Sequence, residues 1–126
     1  MTEPESYVVD THALLWFLSK DRKLGSQAKA ILESATEILV PTIVMAEAVT
    51  TIEKRRVSLS INELLHAIED AAFVVVPFGS DTFRAMLELP SGIELHDRMI
   101  AATANMYDAA VLTRDPIFRG VVETVW

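Results

Sequence analysis

Four carboxylates set the chemistry that this sequence can support: Asp10, Glu47, Asp97 and Asp115. Each lies beside an apolar stretch. Asp10 follows Tyr7-Val8-Val9, and Glu47 is the one charge in Ile43-Val44-Met45-Ala46-Glu47-Ala48-Val49. Asp97 heads the apolar run Met99 to Met106, and Asp115 comes shortly after Ala109 to Leu112. Carboxylates are seldom buried unless they are paired or metal-bound. Brought to one place, they repel and raise one another's pKa unless a cation intervenes. The chain has no cysteine and no pair of histidines at ligand spacing, so the donor set is all oxygen. That favours magnesium or manganese over zinc. Such ions activate water and stabilise the attacking and leaving oxygens in phosphodiester cleavage.

Each acid also has an ordinary explanation. Asp10 before Thr11 fits a helix N-cap, and so does Asp97 at the front of its helix. Asp115-Pro116 is a common turn pair. Glu47 is the hardest to dismiss, although a solvated strip of helix would account for it. Arg98 and Arg114 each adjoin a proposed acid, so either can contact a phosphate or simply pair with a neighbouring carboxylate. His96 beside Asp97 can orient that acid or merely open the helix. Trp16 and Phe17 read as core or dimer surface, His66 as structural, and Lys54-Arg55-Arg56 as a solvated helix end. No glycine-rich phosphate loop occurs, which leaves an ATP or GTP site without support.

The elements that must position these acids follow from periodicity. Met1 to Ser6 is polar and reads as loose. Tyr7 to Val9 is a strand, and Thr11 opens a helix with Leu14, Leu15 and Leu18 at helical spacing. Ser26 is placed to cap a second helix carrying Ala28, Ile31, Leu32 and Ala35. Ile38 to Val40 is a strand, and Pro41-Thr42 begins a helix with Met45, Ala48, Val49 and Ile52 as its stripe. Ser60 to Glu63 is a capping box for a helix with Ile61, Leu64, Leu65 and Ile68 inward. Phe73 to Val76 reads as a strand covered on both faces. Ser80 or Asp81 caps a helix carrying Phe83, Met86 and Leu87, and Leu89 to Ile93 is a loop. The run from Met99 to Met106 is apolar on nearly every side and predicts a helix buried on more than one face. Ala109 to Leu112 and Val121 to Val125 complete the strands. Strands alternating with helices predict a parallel α/β sheet of four to five strands flanked by helices in three layers. Ligands bind such sheets beyond the carboxyl ends of the strands, where the strand order switches. On a parallel sheet all four acids fall on that rim.

The bulk properties agree. A chain of 126 residues, 51% hydrophobic, is enough for one well-buried domain spanning 1–126. Without cysteine it has no disulfide framework and suits a reducing, cytoplasmic setting. No basic n-region opens it, and its apolar runs fall short of the ~20 residues a membrane helix needs. The net charge of −7 argues against nucleic acid, unless clustered acids hold divalent cations that supply local positive charge.

These residues resemble the PIN-domain ribonucleases, and within them the VapC-type toxins of type II toxin–antitoxin systems. The matching motifs are Val8 to Trp16, Val40 to Glu47, Leu95 to Ala104 and Leu112 to Pro116, in order along nearly the whole chain. The resemblance implies a parallel sheet sandwiched by helices. Asp10 and Asp97 would be the principal magnesium ligands (manganese being the other candidate), with Asp115 completing the site. Glu47 would act through water or a second ion, with Thr11 and Thr113 in support. It further implies an RNA substrate, a homodimer, and a cognate antitoxin that covers the groove. Many relatives carry an extra Asp three residues before the third acid, in a proline-containing loop. Here Glu94 holds that place without the proline, as a substitute ligand or a surface residue. Two other classes remain as rivals. One is a PIN-like module that binds RNA or protein without cutting. The other is a phosphoryl-transfer domain, whose aspartate-nucleophile form wants a second Asp where this chain has His12.

Overall fold

The computed structural model describes residues 6–70 and 72–126. The expectation of a loose Met1 to Ser6 therefore lies almost wholly outside the described residues. Strands β1 (Tyr7–Val9), β2 (Ile38–Pro41), β3 (Phe73–Val76), β4 (Ala110–Leu112) and β5 (Thr124–Val125) form one sheet in the order β3-β2-β1-β4-β5. Every pairing in it is parallel. Helices α1 (Thr11–Leu18) and α2 (Ser26–Ser34) link β1 to β2. Next come α3 (Thr42–Glu53) and α4 (Ile61–Ile68), then α5 (Ser80–Leu87) and α6 (Leu95–Met106) before β4.

Successive strand residues point to opposite faces, so a strand buried at every position is covered on both. β2 and β4 are buried throughout, and β1 is buried at Val8 and Val9. The right-handed rule for parallel crossovers explains the covering. Connections step one way from β1 to β3 and then reverse to reach β4, which carries helices to both faces. The reversal lies between β1 and β4, the switch point where such sheets open a crevice.

β3 departs from expectation. Its β-branched run reads as fully buried, yet it is the edge strand, with Val74 38% and Val75 41% exposed. The run of β-branched residues reflects strand propensity, which an edge strand shares with a central one. Leu65 likewise faces solvent, and α4 buries only Leu64 fully. The last strand is shorter than its apolar run, Thr124–Val125 alone.

Two caps also differ. Gly25, not Ser26, is the N-cap of α2 and makes no side-chain bond. A Cβ on Gly25 would lie 2.5 Å from Trp126 Cδ1, so a capping side chain is excluded by close approach of the chain end. Gly79 precedes α5, where its N–H donates to Thr82 Oγ1 at 3.2 Å. The capping box at Ser60 and Glu63 forms as read. In α6, Ile100 to Ala104 is an unbroken buried run, as its all-round apolarity predicts.

Candidate functional site

The rim of the sheet is built by register. Val9 pairs with Leu112, so Asp10 and Thr113 emerge side by side one residue later. The Asp10 N–H donates to the Leu112 carbonyl at 3.3 Å and continues the ladder to the acid itself. Asp10 Oδ1 accepts from the Ala13 N–H at 2.8 Å and caps α1. The cap and the site are thus one residue: the bond that starts the helix also fixes the carboxylate. Asp115 repeats the arrangement on β4. It accepts from the Ile117 N–H at 3.0 Å and caps a 3-10 turn, Pro116–Phe118, anchored by the buried Phe118.

Asp97 does not cap its helix. Glu94 does, accepting from the N–H groups of His96 and Asp97. Asp97 therefore stands in the first turn of α6 with its carboxylate free of that task. Glu47, in the second turn of α3, is held from two sides. The Thr11 hydroxyl donates to Glu47 Oε1 at 2.9 Å, and His96 Nδ1 lies 3.2 Å from Oε2. His96 thus serves Glu47 rather than its neighbour Asp97; Nδ1 is also 3.6 Å from Glu94 Oε1.

All four acids line one cavity of about 470 Å³, together with Thr11, His12, Thr51, Ile100, Arg114 and other residues. Thr113 is buried beneath them: its hydroxyl bonds the Asp10 carboxylate and accepts from the Asp115 N–H at 3.0 Å. Burial pushes the Asp10 carboxyl above the usual range, against the lowering bonds from Thr113 and Ala13. Asp97 is pushed up to about 6, first by burial and then by the negative charges of Asp115, Glu94, Glu47 and Asp10. Asp97 thus feels each of the other three acids and Glu94 besides.

The two candidate arginines part company. Arg114 lines the cavity with its guanidinium 4.5 Å from the Trp16 ring centre. Arg98 turns to the loop after α5, where Nη2 donates to the Leu89 carbonyl at 3.3 Å, and it takes no part in the cavity wall. Its Nε is buried without a hydrogen-bond partner among the described residues. Glu94 also stays off the cavity wall, in keeping with its role as cap. Trp16 is not simply core or dimer surface; it walls the cavity, edge-on to Trp126 at 5.9 Å. Trp126 is a wall residue that the motifs do not point to. Its signal is its position: a residue directly after the last parallel strand must emerge on the same rim as Asp10.

Among the described residues no three His, Asp or Glu side chains converge into a ready-made metal cage. The donor chemistry nevertheless fits a hard cation. Several carboxylates meet in one hollow, and two of them have raised pKa values that positive charge would relieve. Magnesium commonly keeps several waters and takes only one or two carboxylates, so an open constellation suits it better than a closed cage.

A parallel α/β domain with carboxylates gathered at its switch point defines the class. The PIN domain family model matches residues 7–123, and the chain belongs to that family. No curated protein matches it. Solved structures share the fold across nearly the whole chain. One is VapBC2 from Rickettsia felis bound to a DNA fragment from their promoter: 17% identity, TM-score 0.72, covering 95% of this chain and 97% of that one. A toxin–antitoxin complex from Klebsiella pneumoniae gives 22% identity and a TM-score of 0.72, covering 95% and 96%. VapC20 from Mycobacterium tuberculosis, a sarcin-ricin loop cleaving toxin, gives 12% and 0.57, covering 86% and 89%.

Proposed function

We propose that this chain is a magnesium- or manganese-dependent endoribonuclease, the toxin of a type II toxin–antitoxin module. The observation that carries the reading is the meeting of Asp10, Glu47, Asp97 and Asp115, from four separate elements, around one cavity. The fold shared with a toxin–antitoxin complex and with an RNA-cleaving toxin supports it. The toxin–antitoxin relatives support a cognate antitoxin as partner, and a cytoplasmic homodimer is the setting this reading proposes. Among the described residues no helix is long and apolar enough to cross a membrane.

Asp10, Asp97 and Asp115 would hold the cation, which when bound supplies activation of water and charge neutralisation at the phosphate. The side chains do the remainder. Glu47, fixed by Thr11 and His96, orients the attacking water. Arg114 presents its guanidinium to a non-bridging phosphate oxygen. The water oxygen bonds to phosphorus and gives up one proton to solvent, the bond to the 3′ oxygen breaks, and that oxygen takes one proton from solvent and leaves as a hydroxyl. The products carry a 5′-phosphate and a 3′-hydroxyl.

The test is cleavage of a mixed cellular RNA pool with magnesium, with manganese and with chelator, beside Asp97→Asn. Metal-dependent cutting that is lost in the variant and leaves 5′-phosphates is the expected result. Cutting that survives both chelator and substitution would sink the assignment. No cutting under any metal, from folded and antitoxin-free protein, would turn the reading to a binding module.

A further inference from the structure

Trp16 stands where two hollows meet. Besides the acidic cavity it lines a groove of about 750 Å³ along α1, the α1–α2 connection and α2. Lys20, Arg22 and Lys29 line that groove, while Lys23 Nζ lies 5.7 Å and Arg114 4.5 Å from the Trp16 ring centre. The chain holds only 11 Lys and Arg against 18 acids, yet five of those cations collect on this side. Asp21 and Glu33 face the same groove; the Glu33 carboxylate pairs with Lys29 at 3.9 Å, with both side chains exposed. The order in space is thus an acidic cavity, an indole, and then a groove with an apolar floor of Phe17, Leu18 and Leu24 whose rim carries three cations against two acids.

We infer that the α1–α2 groove is the track for single-stranded RNA flanking the scissile phosphate, with an unpaired base stacking at Trp16 between cavity and track. This rests on the nuclease reading above. Stacking on an aromatic ring is open to any base because every base has a π face, and arginine planes add to it. The cations beyond the ring match the phosphates that follow, and they answer the objection raised by a net charge of −7. A duplex does not fit this arrangement, because its paired bases are not free to stack on an indole beside the reacting phosphate. The Arg114 guanidinium already lies 4.5 Å from the Trp16 ring centre, so the cation and the indole are brought together before the substrate arrives.

The chain's only tryptophans, Trp16 and Trp126, both line the cavity, so their fluorescence reports there directly. The experiment titrates Asp97→Asn protein with a short oligouridylate and with a base-paired duplex of equal length. Polarisation of labelled RNA and tryptophan emission of the protein are both followed. Oligouridylate is expected to bind more tightly than the duplex and to quench the emission. Trp16→Ala should weaken binding by roughly tenfold, and Trp16→Phe should restore most of it. Paired Lys20→Glu and Arg22→Glu changes should weaken binding and flatten its salt dependence, by about 0.7 in slope for each phosphate no longer neutralised. In the otherwise unchanged protein, the same pair should raise KM more than it lowers kcat. Preference for the duplex, or binding without quenching, overturns the track. So do charge reversals that spare RNA affinity but abolish antitoxin binding, which would give the groove to the protein partner. Failure of the nuclease reading is separate, since it appears as loss of metal-dependent cleavage by the unaltered chain.

Discussion

At the scale of single residues, the site is held by side chains with two tasks. Asp10 caps α1 and faces the cavity, and Thr113 ties Asp10 to the backbone of Asp115. Asp97 is different, because its carboxylate caps no helix; the cap of α6 is Glu94. Its carboxyl is raised to about 6 by burial and by neighbouring acids, so its ionised form opposes folding. A raised acid contributes its stability below its unfolded pKa, near 3.8, and loses it as pH rises through about 6. Under the proposed function, Asp97→Asn is expected to lower cleavage by about a thousandfold, because it would remove a metal ligand worth several kcal/mol. The same variant should melt a few degrees higher than the unaltered protein in chelator at neutral pH, by calorimetry. A lower melting temperature would show that the Asp97 carboxylate makes stabilising bonds of its own. Thr11→Val tests the support of Glu47. It removes a bond to a charged acceptor, worth about 1.5–3 kcal/mol, and should cut the rate by at least tenfold while circular dichroism stays unchanged.

At the scale of elements, the alternation of strands and helices was legible because periodicity changes sharply at each boundary. Tyr7–Val9 and the capping box at Ser60 stand where their patterns place them, and the strand read at Ile38 to Val40 runs one residue further, taking in Pro41 before the helix starts at Thr42. The exposed edge was not legible. Phe73–Val76 and Ile38–Pro41 are both apolar runs, and only the strand order separates edge from centre. That order arises from crossovers between residues far apart in the chain, which local pattern does not record. Energetics should follow the order. Leu112→Ala on β4 should cost about 2–5 kcal/mol in urea unfolding, whereas Val74→Thr on β3 should stay within about 0.5. Equal losses would mean that β3 is covered in solution, by a partner or by a second copy. The acids were legible as types, since each interrupts an apolar stretch. Their partners were not: His96 reaches Glu47, and Arg98 turns away to Leu89, because rotamers answer to tertiary neighbours.

At the scale of the whole molecule, the proposed function sets an acidic chain against a polyanion, and cations would have to reconcile the two. The sheet sets the conditions by bringing Asp10 and Asp115 from adjacent strands, then Glu47 and Asp97 from helices that begin at the same rim. Divalent ions should therefore stabilise the fold as well as enable cleavage. A ligand that binds only the folded state adds RT ln(1 + [L]/Kd), about 2.7 kcal/mol at a hundredfold excess over Kd. The gain must depend on pH, because the ion needs ionised carboxylates and competes with protons for them. Asp97, titrating near 6, and the raised Asp10 are the groups in competition. Melting curves with and without magnesium should diverge widely at pH ~7.5 and draw together as pH falls below about 6. Asp10→Asn and Asp97→Asn should each flatten that divergence. A magnesium shift that is independent of pH, or that persists in both variants, would place the ion away from this cavity. The carboxylates would then need another reason to share it.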